Sequence, residues 1–274
     1  MKRSWVILIG AVGCASSPPP PAAAPATSSA SSTSTSTSTS TSTSTTTTPA
    51  AGKLRTAEEI LADAVKATGG AEAWNAHKTA HYKVETTLQG MGMGGKGERF
   101  QTRADKSLMT MEMAGLGRVR EGTNGKVAWT DDPAHGIRYL DGVEAEQMRI
   151  ASSWNMDLHA AELFVKLESA SEPGPDGVNL ECVVATPKIG TPFRSCYDPK
   201  THLQVSQSGV HAGPEGDMPF RSVIREWREV SGLKIPFESN TQLGPITTVD
   251  RVTAVTFDEP IDEKMFDPPK PAKK

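Results

Sequence analysis

Leu108-Met-Thr-Met-Glu-Met113 places Met109, Met111 and Met113 at every second position, with Thr110 and Glu112 between them. A period of two sends successive side chains to opposite faces of a strand, so the three methionines share one face. Tyr82, Val84, Thr86 and Leu88 alternate with polar residues in the same way. Turn signals recur around these runs, at Gly94-Gly95, Asn124-Gly125, Ile189-Gly190 and Ser231-Gly232. Strands bounded by such turns predict an antiparallel meander. Methionine is flexible and suits surfaces that accept varied apolar shapes. In a curved sheet the core face is also the wall of any cavity. Met109, Met111 and Met113, with Trp129, are therefore expected to line a site for an apolar ligand; a filled core face is the competing reading.

Helical patterns flank and interrupt the meander. Thr56-Ala-Glu-Glu59 has the form of a capping box, and Ile60, Leu61, Ala64, Val65 and Ala67 follow at helical spacing. Gly69-Gly70 stops that helix, and a second short one is expected over Ala71 to His77. Asp141 to Ser153 is helix-like, and Asp157 to Val165 has room for a further turn or two. Strands resume near Lys166 and run to about Phe257, and Ile261 to Phe266 suggests a last short helix. The fold class expected is α+β, mainly β: a large curved antiparallel sheet, with helices at its start and in one mid-chain insertion.

Three segments carry a family resemblance. They are Ile60-Leu-Ala-Asp-Ala-Val-Lys-Ala-Thr-Gly-Gly70, Gly122-Thr-Asn-Gly-Lys-Val-Ala-Trp129 and Trp227-Arg-Glu-Val-Ser-Gly-Leu-Lys-Ile-Pro-Phe237. Together with the order helix, meander, mid-chain helix and returning strands, they resemble the LolA/LolB-like lipoprotein-carrier superfamily and its outer membrane lipoprotein-sorting relatives. The resemblance spans roughly Thr56 to Phe266. It implies an incomplete β-barrel whose concave apolar face is covered by helices and holds acyl chains of lipoproteins. Such a protein needs no cofactor and is not an enzyme.

The N-terminal region reads differently. Lys2 and Arg3 precede the short apolar run Trp5 to Val12, which is well under the roughly 18 residues of a membrane span. Ala11-Val12-Gly13-Cys14 resembles a bacterial lipobox, so residues 1–13 read as a signal peptide and Cys14 as the site of lipid attachment. Residues 15–52 hold no charge and consist largely of Pro, Ser, Thr and Ala. Such a segment has too little apolar surface to offset its ordering entropy, so 14–52 is expected to be a disordered tether. Residues 53–268 form one domain with a real core, and 269–274 a short basic tail. Setting aside Lys2 and Arg3, 27 basic residues face 32 acidic ones, a net charge near −5 with no basic stripe, which argues against nucleic acid. The expected setting is the bacterial envelope, and Ala15 after Cys14 favours the outer membrane by the enterobacterial sorting rule.

Other constellations are weaker. Gly90, Gly92 and Gly95 fit G-x-G-x-x-G, and Gly90, Gly95 and Lys96 fit most of a phosphate loop without its Ser or Thr, but alternating strand patterns on both sides favour a hairpin tip. His77 and His81 lack the Glu of a zinc-binding H-E-x-x-H, so no metal site is expected. Asp131, Asp132 and His135 cluster in a loop, but Pro133 and Gly136 favour a plain turn and no G-x-S-x-G nucleophile accompanies them. A hydrolase built on Asp132 and His135, and an assembly protein with a filled barrel, are the alternative readings. Finally, Leu180 to Thr186 and Thr191 to Tyr197 read as two strands around Lys188-Ile189-Gly190. Ile189 lies midway between Cys182 and Cys196, which places the two cysteines opposite each other and within reach of a disulfide.

Overall fold

The computed structural model describes residues 54–270, together with the backbone of two short paired strands, Ile7–Leu8 and Ala11–Val12. Cys14, the 14–52 tether and residues 271–274 lie outside the described residues.

Alternation in the chain becomes a single antiparallel sheet of thirteen strands. The first six are β1 (Thr79–Leu88), β2 (Met93–Thr102), β3 (Ser107–Met113), β4 (Gly117–Thr123), β5 (Ala128–Asp132) and β6 (Gly136–Tyr139). The remaining seven are β7 (Phe164–Pro173), β8 (Asn179–Pro187), β9 (Phe193–Tyr197), β10 (Gln204–His211), β11 (Met218–Val230), β12 (Leu233–Leu243) and β13 (Ile246–Phe257). Every pair of strands consecutive in sequence is hydrogen-bonded except β6 and β7, and the last strand, β13, pairs back onto β1 with Thr248 opposite Leu88 and Phe257 opposite Ala80. The two free edges are therefore β6 and β7, which are consecutive in the chain. Helices α3 (Gly142–Ala151) and α4 (Ala160–Leu163) occupy the connection between them. The sheet is an incomplete barrel, open at one seam.

Helix α1 (Ala57–Ala67) starts where the capping box predicts: Glu59 N donates to Thr56 Oγ1 at 3.2 Å and Thr56 N to Glu59 Oε2 at 2.8 Å. Its apolar stripe of Ala57, Ile60, Leu61 and Ala64 packs on Val183, Ala185, Phe193 and Tyr197 of β8 and β9. Burying Ile60 and Leu61 contributes about 1.5–3 kcal/mol each, which is most of what holds the helix to the sheet. Gly69 has φ +121°, and a Cβ there would lie 2.6 Å from the Gly232 carbonyl oxygen. Only glycine lets the chain turn this close to the β11–β12 hairpin. Helix α2 (Gly70–Ala76) then sets Trp74 edge-on to Trp154, above Leu233, Ile235 and Phe237.

The hairpin carrying the two cysteines is wider at its tip than the sequence suggests. Its last facing pair is Ala185 with Phe193, because Pro192 cannot donate to the ladder. The loop is symmetric about Ile189 all the same, so Cys182 stands opposite Cys196 and the two form a disulfide. The final helix is also shorter, a single 3₁₀ turn over Glu263–Phe266.

A candidate ligand cavity on the inner face

The inner face is the one that α1, α2 and α3 cover, and the ladder register fixes which side chains reach it. Tyr82 is opposite Arg99, Arg99 opposite Met109, Met109 opposite Glu121, Glu121 opposite Thr130 and Thr130 opposite Arg138. These residues form one continuous row across β1 to β6. The next inner row holds Gly97, Met111 and Val119, and the one beyond it Gly95, Met113 and Gly117. Along β2 and β4 the chemistry of this face thus changes from charged to apolar within one step of two residues, from Arg99 to Gly97 and from Glu121 to Val119.

Helix α3 crosses the charged row and is held there by polar contacts. Gln147 donates from Nε2 to the Val210 carbonyl at 2.8 Å and accepts from Ala212 N at 3.0 Å. Arg138 donates to both carboxylate oxygens of Glu144, at 2.6 and 2.8 Å. The last carbonyls of a helix have no partner within it. Here Arg99 Nη2 donates to the Ala151 carbonyl at 2.7 Å, and Gln101 Nε2 to those of Ser153 and Ser152 at 2.6 and 3.1 Å. The cation at this end also complements the helix dipole.

Two adjoining cavities remain between α3 and the sheet. The larger is about 350 Å³, with Ile150, Met156, Phe193 and Phe220 as its apolar wall and Ser222 and Asp250 among its polar lining. The smaller is about 80 Å³ and lies over the charged row, lined by Arg99, Met109, Glu121, Thr130, Arg138 and Ser152. They meet at Arg99, Gln147, Ala151 and His211, which border both. The lining is more polar than an acyl-chain wall read from the methionines would be. Burial raises the Glu121 carboxyl to about 7, against a smaller opposing pull from the charge of Arg99. Residue Glu121 as a whole is only partly covered, but its Oε2 is fully enclosed and without a hydrogen-bond partner. Burial likewise raises Asp250, which accepts from Thr86 Oγ1 at 2.6 Å and Thr248 Oγ1 at 3.0 Å. His211 is held below its ordinary value, again by burial. In the segment before α4, burial raises Asp157 to about 6 although it accepts a 2.7 Å hydrogen bond from Tyr197.

Of the expected lining residues, Met109 reaches the smaller cavity. Met111 and Met113 share its face but are packed into a cluster with Val84, Leu88, Val119 and Ile246. Trp129 is on the other face, opposite Gly122, with its indole N–H donating to the Phe266 carbonyl at 3.2 Å. It packs with Leu108 and Phe266 and is a correction to the expectation: Thr130, its neighbour, is the residue that points inward. A single-residue offset in strand start flips every side chain to the opposite face.

The glycine-rich run is a turn at Gly90 and Gly92, both with positive φ, followed by strand β2. Gly95 and Gly97 leave room for Met113 and Met111, whose sulfur atoms a Cβ at those positions would meet. Asp132 is used by its own turn, accepting from Ala134 N at 2.8 Å and His135 N at 2.9 Å, while Asp131 pairs with Arg120 on the other face. His77 and His81 lie on different elements and pair separately with Asp258 and Glu259. Among the described residues, one group of metal-type ligands lies within mutual reach, Glu172 with Cys182 and Cys196, and both sulfurs are taken up by the disulfide. Arg99, Glu121, Gln147 and His211 escaped the sequence reading. Their signal was a polar residue at an inner-face position, visible only once the register is known.

No protein-family profile matches this sequence, and no curated protein does. Solved structures do match by fold. A DUF1329 family protein from Desulfovibrio piger superposes with a TM-score of 0.54 at 10% identity, over 77% of this chain and 97% of that one. A putative outer membrane lipoprotein-sorting protein domain from Vibrio parahaemolyticus gives 0.51 at 9% identity, over 77% and 95%. A LolA superfamily protein from Nitrosomonas europaea gives 0.51 at 10% identity, over 78% and 98%. The chain has the LolA-type fold.

Proposed function

We propose that this LolA-type half-barrel is a non-enzymatic binding protein of the bacterial envelope, anchored through Cys14, that takes a single-chain hydrophobic ligand between α3 and the inner face. The larger cavity carries this reading. Its volume of about 350 Å³ falls within the roughly 300–1,000 Å³ of small-molecule sites, and it places apolar side chains from helix and sheet on facing sides. Burial of alkyl surface, about 25 cal/mol per Å² before association costs, supplies the driving force. Fold neighbours that include a lipoprotein-sorting domain support the same class of ligand. The lipobox-like Ala11-Val12-Gly13-Cys14 supports the anchor; among the described residues no helix is long and apolar enough to cross a membrane.

Two experiments test this. The full chain, expressed with its leader and purified from membranes, is expected to carry lipid detectable by mass spectrometry and to bind the neutral probe N-phenyl-1-naphthylamine. Ala151 borders both cavities and is exposed, so Ala151→Trp should plug the entrance and abolish probe binding without unfolding the protein. A lipid-free preparation with no probe binding overturns the reading. Separately, Cys14→Ser should release the protein from membranes; a variant that still sediments with them removes the anchor.

A further inference from the structure

We propose that the row Arg99–Met109–Glu121–Thr130–Arg138 is a head-group site for the carboxylate of a fatty acid whose alkyl chain lies in the adjoining larger cavity. The inference rests on the binding function proposed above and names its ligand. Four polar atoms of the small cavity's lining are buried without a partner: Glu121 Oε2, Thr130 Oγ1, Arg138 Nη1 and Ser152 Oγ. Thr130 is 5% exposed and Ser152 1%, so neither hydroxyl has access to bulk water. Leaving buried polar groups unpaired is costly, and so many around one small void point to an occupant.

The charges select its sign. Among the described residues Arg99 forms no ion pair, and its side-chain hydrogen bond goes to a neutral carbonyl. Arg138 spends one nitrogen on Glu144 and leaves the other free inside the cavity. A cation would face both guanidinium groups, whereas an anionic oxygen would be met by Arg99, Arg138 Nη1 and the two hydroxyls. Charge-assisted hydrogen bonds of this kind are the strong ones. At about 80 Å³ the smaller cavity has room for the three heavy atoms of a carboxylate. The shared border at Arg99, Gln147, Ala151 and His211 gives the chain a path to the larger cavity.

Glu121 tunes the site. In its acid form it donates a hydrogen bond from its O–H to the ligand carboxylate; ionised, it repels it. The groups facing it are Arg99 from β2, Arg138 from β6, Glu144 from α3 and His211 from β10. Acid binding is therefore expected to weaken as pH rises through about 7.

The test is displacement of N-phenyl-1-naphthylamine from the full-length protein by hexadecanoic acid and by hexadecan-1-ol, at pH 6 and pH 8. At pH 6 the acid should bind about tenfold or more tightly than the alcohol, as one charged hydrogen bond allows. The preference should narrow at pH 8. Thr130→Val should reduce it severalfold and Arg99→Met should erase it, with binding of the alcohol retained in both as the control for an intact cavity. Glu121→Gln should keep the preference and flatten its pH dependence. Equal binding of acid and alcohol by the wild type overturns the head-group site while leaving the binding function standing. So does full retention of the preference in Thr130→Val together with Arg99→Met. Failure of both ligands to displace the probe overturns the binding function itself.

Discussion

At the β1–β4 end of the inner face, Met111 and Met113 fill the space over Gly95 and Gly97 and pack with Val84, Leu88, Val119 and Ile246, with no helix in the cluster. Next to it on the same face α1 covers β8 and β9 and α3 lies over the charged row, and cavities of about 350 and 80 Å³ remain beside α3. The first region is closed by flexible side chains that settle into whatever gap the sheet leaves. The second is closed by a rigid helix, which cannot follow the sheet's curvature and is fastened at a few polar points instead. Packing that adapts leaves nothing to bind, whereas packing by a stiff element leaves room.

The largest effect that would sharpen this contrast is expected at Met111, which is 1% exposed. Met111→Ala should cost about 2–5 kcal/mol by urea unfolding. Ile150→Ala on α3 should fall at the low end of that range, because a cavity already borders the residue. Equal costs would mean that the two ends are packed alike.

Loss of the disulfide comes next. The bridge spans 14 residues on the outer face of the helix-covered end, and replacing both cysteines by alanine should cost about 3 kcal/mol by the chain-entropy relation. Hydrogen exchange should accelerate in β8 and β9 before it does in β3. Uniform acceleration would show that the two ends do not open separately.

Glu121 separates the regions by pH. Its carboxyl sits at about 7 in the folded protein against an ordinary 4.5. The folded state therefore binds more protons between these values. The contribution of this group to stability is complete below about 4.5 and is lost as pH rises through about 7. At about 1.4 kcal/mol per unit, Glu121→Gln should stabilise by up to about 3 kcal/mol at pH 8 and by almost nothing at pH 4. A difference that does not vary between these pH values would show that the carboxyl titrates normally.

The smallest effect belongs to the clasp. Gln147→Ala removes two hydrogen bonds to backbone and should cost about 1–2 kcal/mol. Faster exchange should be confined to α3 and leave the methionine cluster unchanged, as read by mass spectrometry of peptide fragments. Spread of the effect into β3 would tie together the two regions contrasted here.

Sequence alone determined the parts of this protein that depend on local chemistry. The capping box at Thr56, the period-two alternation of Met109 to Met113, the turn glycines and the symmetric spacing of Cys182 and Cys196 about Ile189 each carry their geometry within a few residues. They were enough for a mainly β fold with an early helix and a mid-chain helical insertion. Tertiary structure alone decided where the chain stays open. The pairing of β13 with β1 joins residues far apart in sequence and leaves β6 and β7 as the free edges. It also decided what faces the cavity. Trp129 is outside and Thr130 inside because of the register of β5 with its two neighbours, β4 and β6. Arg99 and Glu121 flank Met109 only because the ladders align them. A period of two says that residues share a face; cross-strand register, fixed by the whole sheet, says which face and beside whom.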